Sequence, residues 1–212
     1  MRNKNLDFIA KVVFFGALWG IVEATLGYAL HLLPALIAGS IMFPLVMFIL
    51  YHAYKSLGSR TAIFYVAIIA IMIKATNLFL PMLYPAKTIN PMIAMFIQSL
   101  LAFLVIPMLS SEKPLMKLSA VALVSVGWRV VMVGYYGLNY LTTGFLDFRI
   151  ASINPLISYV VYEGLISTLL AVGLLYLTSP VNFLSRLNKT RINPVVSAAL
   201  LAIAIILTLV KF

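Results

Sequence analysis

Seven apolar runs, each close to the length that crosses a bilayer, leave this chain little choice but a bundle of membrane helices. They lie at roughly 8–31, 35–54, 61–80, 91–109, 115–141, 155–177 and 194–209. About 20 residues at a rise of about 1.5 Å match a hydrocarbon layer roughly 30 Å thick. Inside that layer every backbone N–H and C=O needs a partner within the protein, so only helices and closed barrels span it. Runs this long are helical. The expected fold class is all-α, a polytopic transmembrane helix bundle of six to seven spans forming a single integral membrane domain over 1–212. Composition agrees: 64% of residues are hydrophobic, 9% are charged and the mean hydropathy is +1.11, which excludes an ordinary soluble domain. The first run is too long for a cleavable leader and no soluble domain follows it, so insertion is expected to be permanent.

The net charge of +10 is scattered between the apolar runs rather than gathered on one module. It reads as topology, and no nucleic-acid partner is expected. With the N-terminus in the cytoplasm, Arg2, Lys4, Lys11, Lys55, Arg60, Lys113, Lys117, Arg186, Lys189 and Arg191 fall inside, and only Lys87, Arg149 and Lys211 fall outside. The positive-inside rule selects that orientation for a multi-pass cell-membrane protein. The inner loops are then short and basic, while the outer ones, near 31–39, 81–90 and 141–154, carry turn formers and polar groups, where loop-borne function belongs. The chain has no cysteine, which excludes disulfides, thiolate metal sites and a Cys nucleophile. His31 and His52 fall on opposite sides of the membrane, and no metalloprotease, nucleophile-elbow or phosphate-binding motif is present. No catalytic residue, metal or cofactor is assigned.

Four ionisable residues sit far from any loop: Glu23, Lys74, Arg129 and Glu163. Charges in hydrocarbon are expensive and face partners, water or a ligand. Rise per residue puts all four between mid-bilayer and the outer third, about 17–23 Å above the inner boundary. Two acids and two bases at one depth can neutralise one another if their helices converge. A purely structural role would be an inefficient use of them, since buried ion pairs gain little over an apolar core. At helical spacing Trp19 shares a face with Glu23, Asn77 with Lys74, Tyr136 with Arg129 and Tyr159 with Glu163. Aromatic rings with convergent polar groups are what a small-molecule site requires. The candidate substrate-binding residues are therefore Trp19, Glu23, Lys74, Asn77, Arg129, Tyr136, Tyr159 and Glu163. Beside them Gly16, Gly20 and Ala24 recur every four residues and form a smooth stripe suited to close contact with another helix. An Ile-Asn-Pro triplet at 89–91, 153–155 and 192–194 opens three apolar runs, and Asn as cap with Pro in the first turn predicts three similar helix starts. The first two triplets each follow a helix with one buried cation and precede a polar residue, Gln98 or Glu163, which suggests parallel repeats of spans three-four and five-six.

Short basic inner loops, long outer loops and the Gly16, Gly20, Ala24 stripe resemble the substrate-binding S components of energy-coupling factor transporters. In that family a six-helix membrane subunit captures a vitamin or similar micronutrient from outside, and an Ala-x-x-x-Ala pattern on the first helix contacts a transmembrane coupling subunit driven by two ATPases. The resemblance implies such partners here, with Gly16, Gly20 and Ala24 as the contact and the outer loops, around Pro34 and Gly39, closing over substrate. It implies transport without enzymatic activity. The residues alone leave open a stand-alone proton-coupled transporter, with Glu23 or Glu163 as proton carrier, a structural membrane subunit, or an intramembrane enzyme.

Overall fold

The computed structural model describes residues 4–30, 35–80, 85–178 and 192–210. Among them the chain forms α1 (Lys4–Leu30), α2 (Ala35–Leu57), α3 (Ala62–Ala75), α4 (Ala86–Val105), α5 (Pro114–Thr143), α6 (153–178) and α7 (Pro194–Leu209), with no strand. One turn of 3-10 helix extends α3 over Thr76–Phe79 and another extends α4 over Ile106–Ser110. Within α6 a single π turn at Ser158–Tyr162 separates Ile153–Ile157 from Glu163–Thr178. The first six helices, with their extensions, are long and apolar enough to cross a membrane, whereas α7 has 16 residues, about 24 Å. The chain is an all-α, multi-pass membrane bundle. Arg2, His31, Pro34, Arg186, Lys189, Arg191 and Lys211 lie outside the described residues.

The helices close a ring. In order around it stand α1, α2, α6, α5, α4 and α3, which returns to α1, and α7 packs on the outside of α1. Lipid tails are as apolar as leucine, so helices in a membrane are held by close packing and hydrogen bonds rather than by expulsion of water. Both devices are visible. A Cβ added at Gly16 would lie 2.5 Å from the Cβ of Ile69, and one at Gly20 would lie 2.6 Å from Ile73 Cδ1, so the backbones of α1 and α3 approach where only glycine fits. This corrects the expectation for the stripe: Gly16 and Gly20 are taken up inside the chain, and Ala24 is 6% exposed, so the three residues present no free face to a coupling subunit. Helix α7 also docks on α1: Ser197 of α7 donates to the carbonyl of Ala10 at 2.7 Å, and fully buried Ala17 of α1 and Ala204 of α7 pack with Ile73 of α3. At the end where α2 finishes, Lys11 donates to the carbonyl of Ser56 at 3.2 Å and lies 3.6 Å from Asp7.

The three Ile-Asn-Pro triplets prove to be different. Only Asn193 caps its helix, accepting from the backbone of Val195 at 3.0 Å with Pro194 in the first position. Pro91 lies inside α4, which starts earlier, at Ala86, and α6 starts after Ser152, whose side chain makes no capping bond. Pro91 is the sixth residue of that helix, beyond the four N–H groups that lack intrahelical partners, so it removes the donor that would pair with the Lys87 carbonyl. At the other end of α5, Gly144 takes a left-handed φ of 72° and donates to the carbonyl of Tyr140. That turn sends the chain back across the bundle.

Candidate functional site

At the end of the ring where α1 and α5 finish and α2, α4 and α6 begin, the helices enclose a cavity of about 460 Å³. Its floor and walls come from Trp19 and Glu23 of α1, Gly39, Met42 and Val46 of α2, Ala94, Met95 and Gln98 of α4, Trp128, Met132 and Tyr136 of α5, and Tyr159 and Glu163 of α6. Its rim is Lys87 and Asn90 with Phe145, Asp147, Phe148 and Arg149 from the segment after Gly144. Each ring helix except α3 reaches it. The π turn stands directly before Glu163, so the extra residue widens α6 where Tyr159 and Glu163 enter the wall; such bulges recur at functional sites.

Two ion pairs stand across this wall. Lys74 Nζ donates to Glu23 Oε1 at 2.9 Å, joining α3 to α1. Arg129 Nη2 lies 3.9 Å from Glu163 Oε2, too long for a hydrogen bond. The short bonds of Arg129 go elsewhere: Nη1 donates to the carbonyl and hydroxyl of Ser125 at 2.7 and 3.1 Å, and Nη2 donates to Ser167 Oγ at 2.7 Å. Its guanidinium also lies 4.7 Å from the centre of the Trp128 ring, within cation–π range. Ser125 in turn donates to the carbonyl of Gly164 at 2.8 Å, tying α5 to α6. Arg129, with no exposed surface, is thus the bolt between these helices, and Glu163 is held near it without being saturated by it.

The rim has its own lock. Asp147 accepts from the backbone and side chain of Arg149 at 3.0 and 3.2 Å, and the Arg149 guanidinium lies 4.5, 5.4 and 5.5 Å from the ring centres of Phe148, Tyr136 and Tyr159. Burial opposes the Arg149 charge, but the Tyr136 oxygen, Asp147 and the Tyr159 oxygen hold its pKa above the ordinary value, so it is a fixed cation. Tyr135 donates to Asn90 Oδ1 at 2.9 Å and joins α5 to α4 beneath that rim.

Of the eight candidate substrate contacts, Trp19, Glu23, Tyr136, Tyr159 and Glu163 line one cavity. Lys74 and Arg129 do not reach its surface; they stand behind it, each paired with a carboxylate that does. Asn77 is buried, 3% exposed, but lies outside the wall. For Lys74 and Arg129 the cause is shared: a long cation can reach sideways to a neighbouring helix, so an intramembrane position fixes its depth but not which layer it occupies. Sequence reasoning missed Trp128, the three methionines and the Asp147–Arg149 cover. Trp128 adjoins Arg129 in sequence, and that adjacency was the available signal. No protein-family model matches the chain, and neither a curated protein nor a solved structure matches it.

Proposed function

We propose that the chain is a membrane-embedded receptor for a small molecule, the substrate-capturing subunit of an uptake system, with the cavity opening to the outside at the end where α1 and α5 finish and α2, α4 and α6 begin. One observation carries the reading. Three buried side-chain atoms of residues around the cavity, Trp19 Nε1, Trp128 Nε1 and Glu163 Oε1, have no hydrogen-bond partner. Each costs about 1–3 kcal/mol when left unsatisfied, and all three belong to residues lining the same apolar chamber. A bound molecule that shifts the wall enough to pair with them recovers that cost. The volume suits a ligand pocket, typically about 300–1,000 Å³ with aromatic walls and a few placed polar groups.

Supporting the orientation, the described loop at 58–61, at the other end of the bundle, carries Arg60, with Lys55 just before it and Lys113 and Lys117 also at that end, so the positive-inside rule puts the cavity mouth outside. The chain contains no nucleotide-binding loop, so ATP-driven uptake in the manner of the transporters it resembles requires separate ATPase and coupling subunits. The use of Gly16 and Gly20 within the chain removes one reason for expecting such a partner, but leaves the receptor reading unchanged.

Denaturing extraction of the purified protein, followed by mass spectrometry, tests it. Wild type is expected to release one small aromatic compound at near-stoichiometric yield, and Ala94→Phe, which fills the chamber, is expected to release several-fold less from an equal amount of folded protein. Equal release from both, or none from either, contradicts the proposal.

A further inference from the structure

The polar groups that reach the chamber are sorted by depth. On α4 the lining runs from Lys87 in the first turn to Gln98, about 16 Å deeper. Glu163 is the deepest lining residue of α6, and Glu23 lies about 10 Å below the end of α1. Asp147 and Arg149 belong to the segment after Gly144, above all of these.

The deep groups present acceptors. Glu23 Oε1 accepts from Lys74 at 2.9 Å, and Glu163 Oε2 lies 3.9 Å from Arg129. Neither cation lines the chamber, so each ion pair stands with its negative end inward. Glu23 Oε2, Glu163 Oε2 and the Gln98 amide make no hydrogen bond among the described residues, and none of them is shut off from the surface as Glu163 Oε1 is. Gln98 is 8% exposed and shares the inward stripe of α4 with Ala94, Met95 and fully buried Ala102, while Phe96, Leu100 and Leu104 face out. Its open area therefore belongs to the chamber.

The rim presents the reverse. Arg149 donates Nη1 to both carboxylate oxygens of Asp147 at 3.2 Å, which leaves Nε and Nη2 without a hydrogen bond among the described residues. Lys87 is exposed and has no ion-pair partner among them. With Asp147 and Arg149 paired, Lys87 is the surplus charge of the lining, and it stands at the mouth.

We infer that the chamber takes a zwitterionic aromatic molecule in one orientation, with an ammonium or similar N–H-rich cation at the depth of Glu23, Gln98 and Glu163 and a carboxylate at the rim beside Lys87 and Arg149. This rests on the receptor reading above and adds to it the charge and direction of the ligand. Charge-assisted hydrogen bonds replace the hydration that each end loses, and the aromatic walls attract the cation. A cation alone has to enter past a positive rim, and an anion alone leaves the deep acceptors unpaired.

Three probes sharing a biphenyl body are titrated into the detergent-purified protein after any retained compound is removed. Quenching of intrinsic fluorescence reports occupancy, since both tryptophans of the chain line the chamber. The probes are 4′-(aminomethyl)biphenyl-4-carboxylate, with both charges; its methyl ester, a cation; and 4′-methylbiphenyl-4-carboxylate, an anion. The zwitterion is expected to bind about tenfold or more tightly than either one-ended probe. Two variants read the direction. Lys87→Met is expected to weaken the zwitterion and the anion several-fold and to spare the methyl ester. Gln98→Leu is expected to weaken the zwitterion and the ester several-fold and to spare the anion; Gln98 has no partner in the fold, so this change strands no group. A one-ended probe that binds as tightly as the zwitterion, variants that act on the opposite ends, or no binding by any probe overturns the inference. The receptor reading is judged separately, by the compound that extraction releases.

Discussion

Arg129→Met is expected to lower the melting temperature of the detergent-solubilised protein by about 10 °C. The guanidinium has no exposed surface and makes short bonds to Ser125 and Ser167 on two helices. Methionine replaces the aliphatic stem but leaves the Glu163 carboxylate and the Ser167 hydroxyl buried without the guanidinium. Stranding one member of a buried charge pair costs about 3–5 kcal/mol, and each kcal/mol is worth about 2–4 °C in a chain of this size. The sharper part of the expectation concerns the pair. Arg129→Met combined with Glu163→Gln removes both charges and is expected to regain at least half the loss, whereas simple loss of packing predicts that the two changes add. Melting curves from size-exclusion peaks of the two single variants and the double variant decide between these.

Substitutions along the glycine stripe are expected to follow backbone geometry rather than residue size alone. At Gly16 even alanine places its Cβ 2.5 Å from Ile69 Cβ and 3.0 Å from the carbonyl oxygen of Val66. Neither atom can move unless α3 moves. Gly16→Leu is expected to abolish recovery of folded protein, and Gly16→Ala to destabilise by about 1–3 kcal/mol or more. At Gly20 the nearest atom is Ile73 Cδ1, the mobile end of a side chain, at 2.6 Å, so Gly20→Ala should cost less than Gly16→Ala. Gly134→Ala, with nothing within 4 Å of the added carbon, is the matched control and should be neutral or slightly stabilising in its helix. Equal tolerance of alanine at 16, 20 and 134 would contradict the α1–α3 packing described above.

The spans were legible because hydrocarbon enforces a length and a composition, and six of the seven expected runs coincide with long apolar helices to within a few residues. The polar interior was legible for a related reason: each charge placed in hydrocarbon needs an answer, and Glu23, Lys74, Arg129 and Glu163 answer one another in pairs. What could not be read is lateral. Lys74 and Lys87 are both cations of the α3–α4 region, yet one is locked behind the wall and the other stands on the rim. Their flanking residues give their depth, Lys74 in an apolar run and Lys87 in an outer loop, but not which helix stands opposite. The glycine stripe was visible as a close-contact surface, but small-xxx-small spacing does not say whether the other surface belongs to the same chain. The cover formed by Asp147 and Arg149 was not legible, since its place over Tyr136 and Tyr159 depends on the turn at Gly144 and on the ring order of α5 and α6.

Because the chain lacks cysteine, one introduced thiol can report directly on whether the chamber is reached from outside the cell. Ala94 lies on the wall about two turns below the start of α4, and Leu115, 73% exposed, marks the opposite end of the bundle. With a membrane-impermeant maleimide added to intact cells, Ala94→Cys is expected to be labelled and Leu115→Cys to be labelled only after permeabilisation. An Ala94→Cys thiol that reacts in unfolded protein but stays silent in intact cells, or reacts only once the membrane is opened, would contradict an outward-facing receptor.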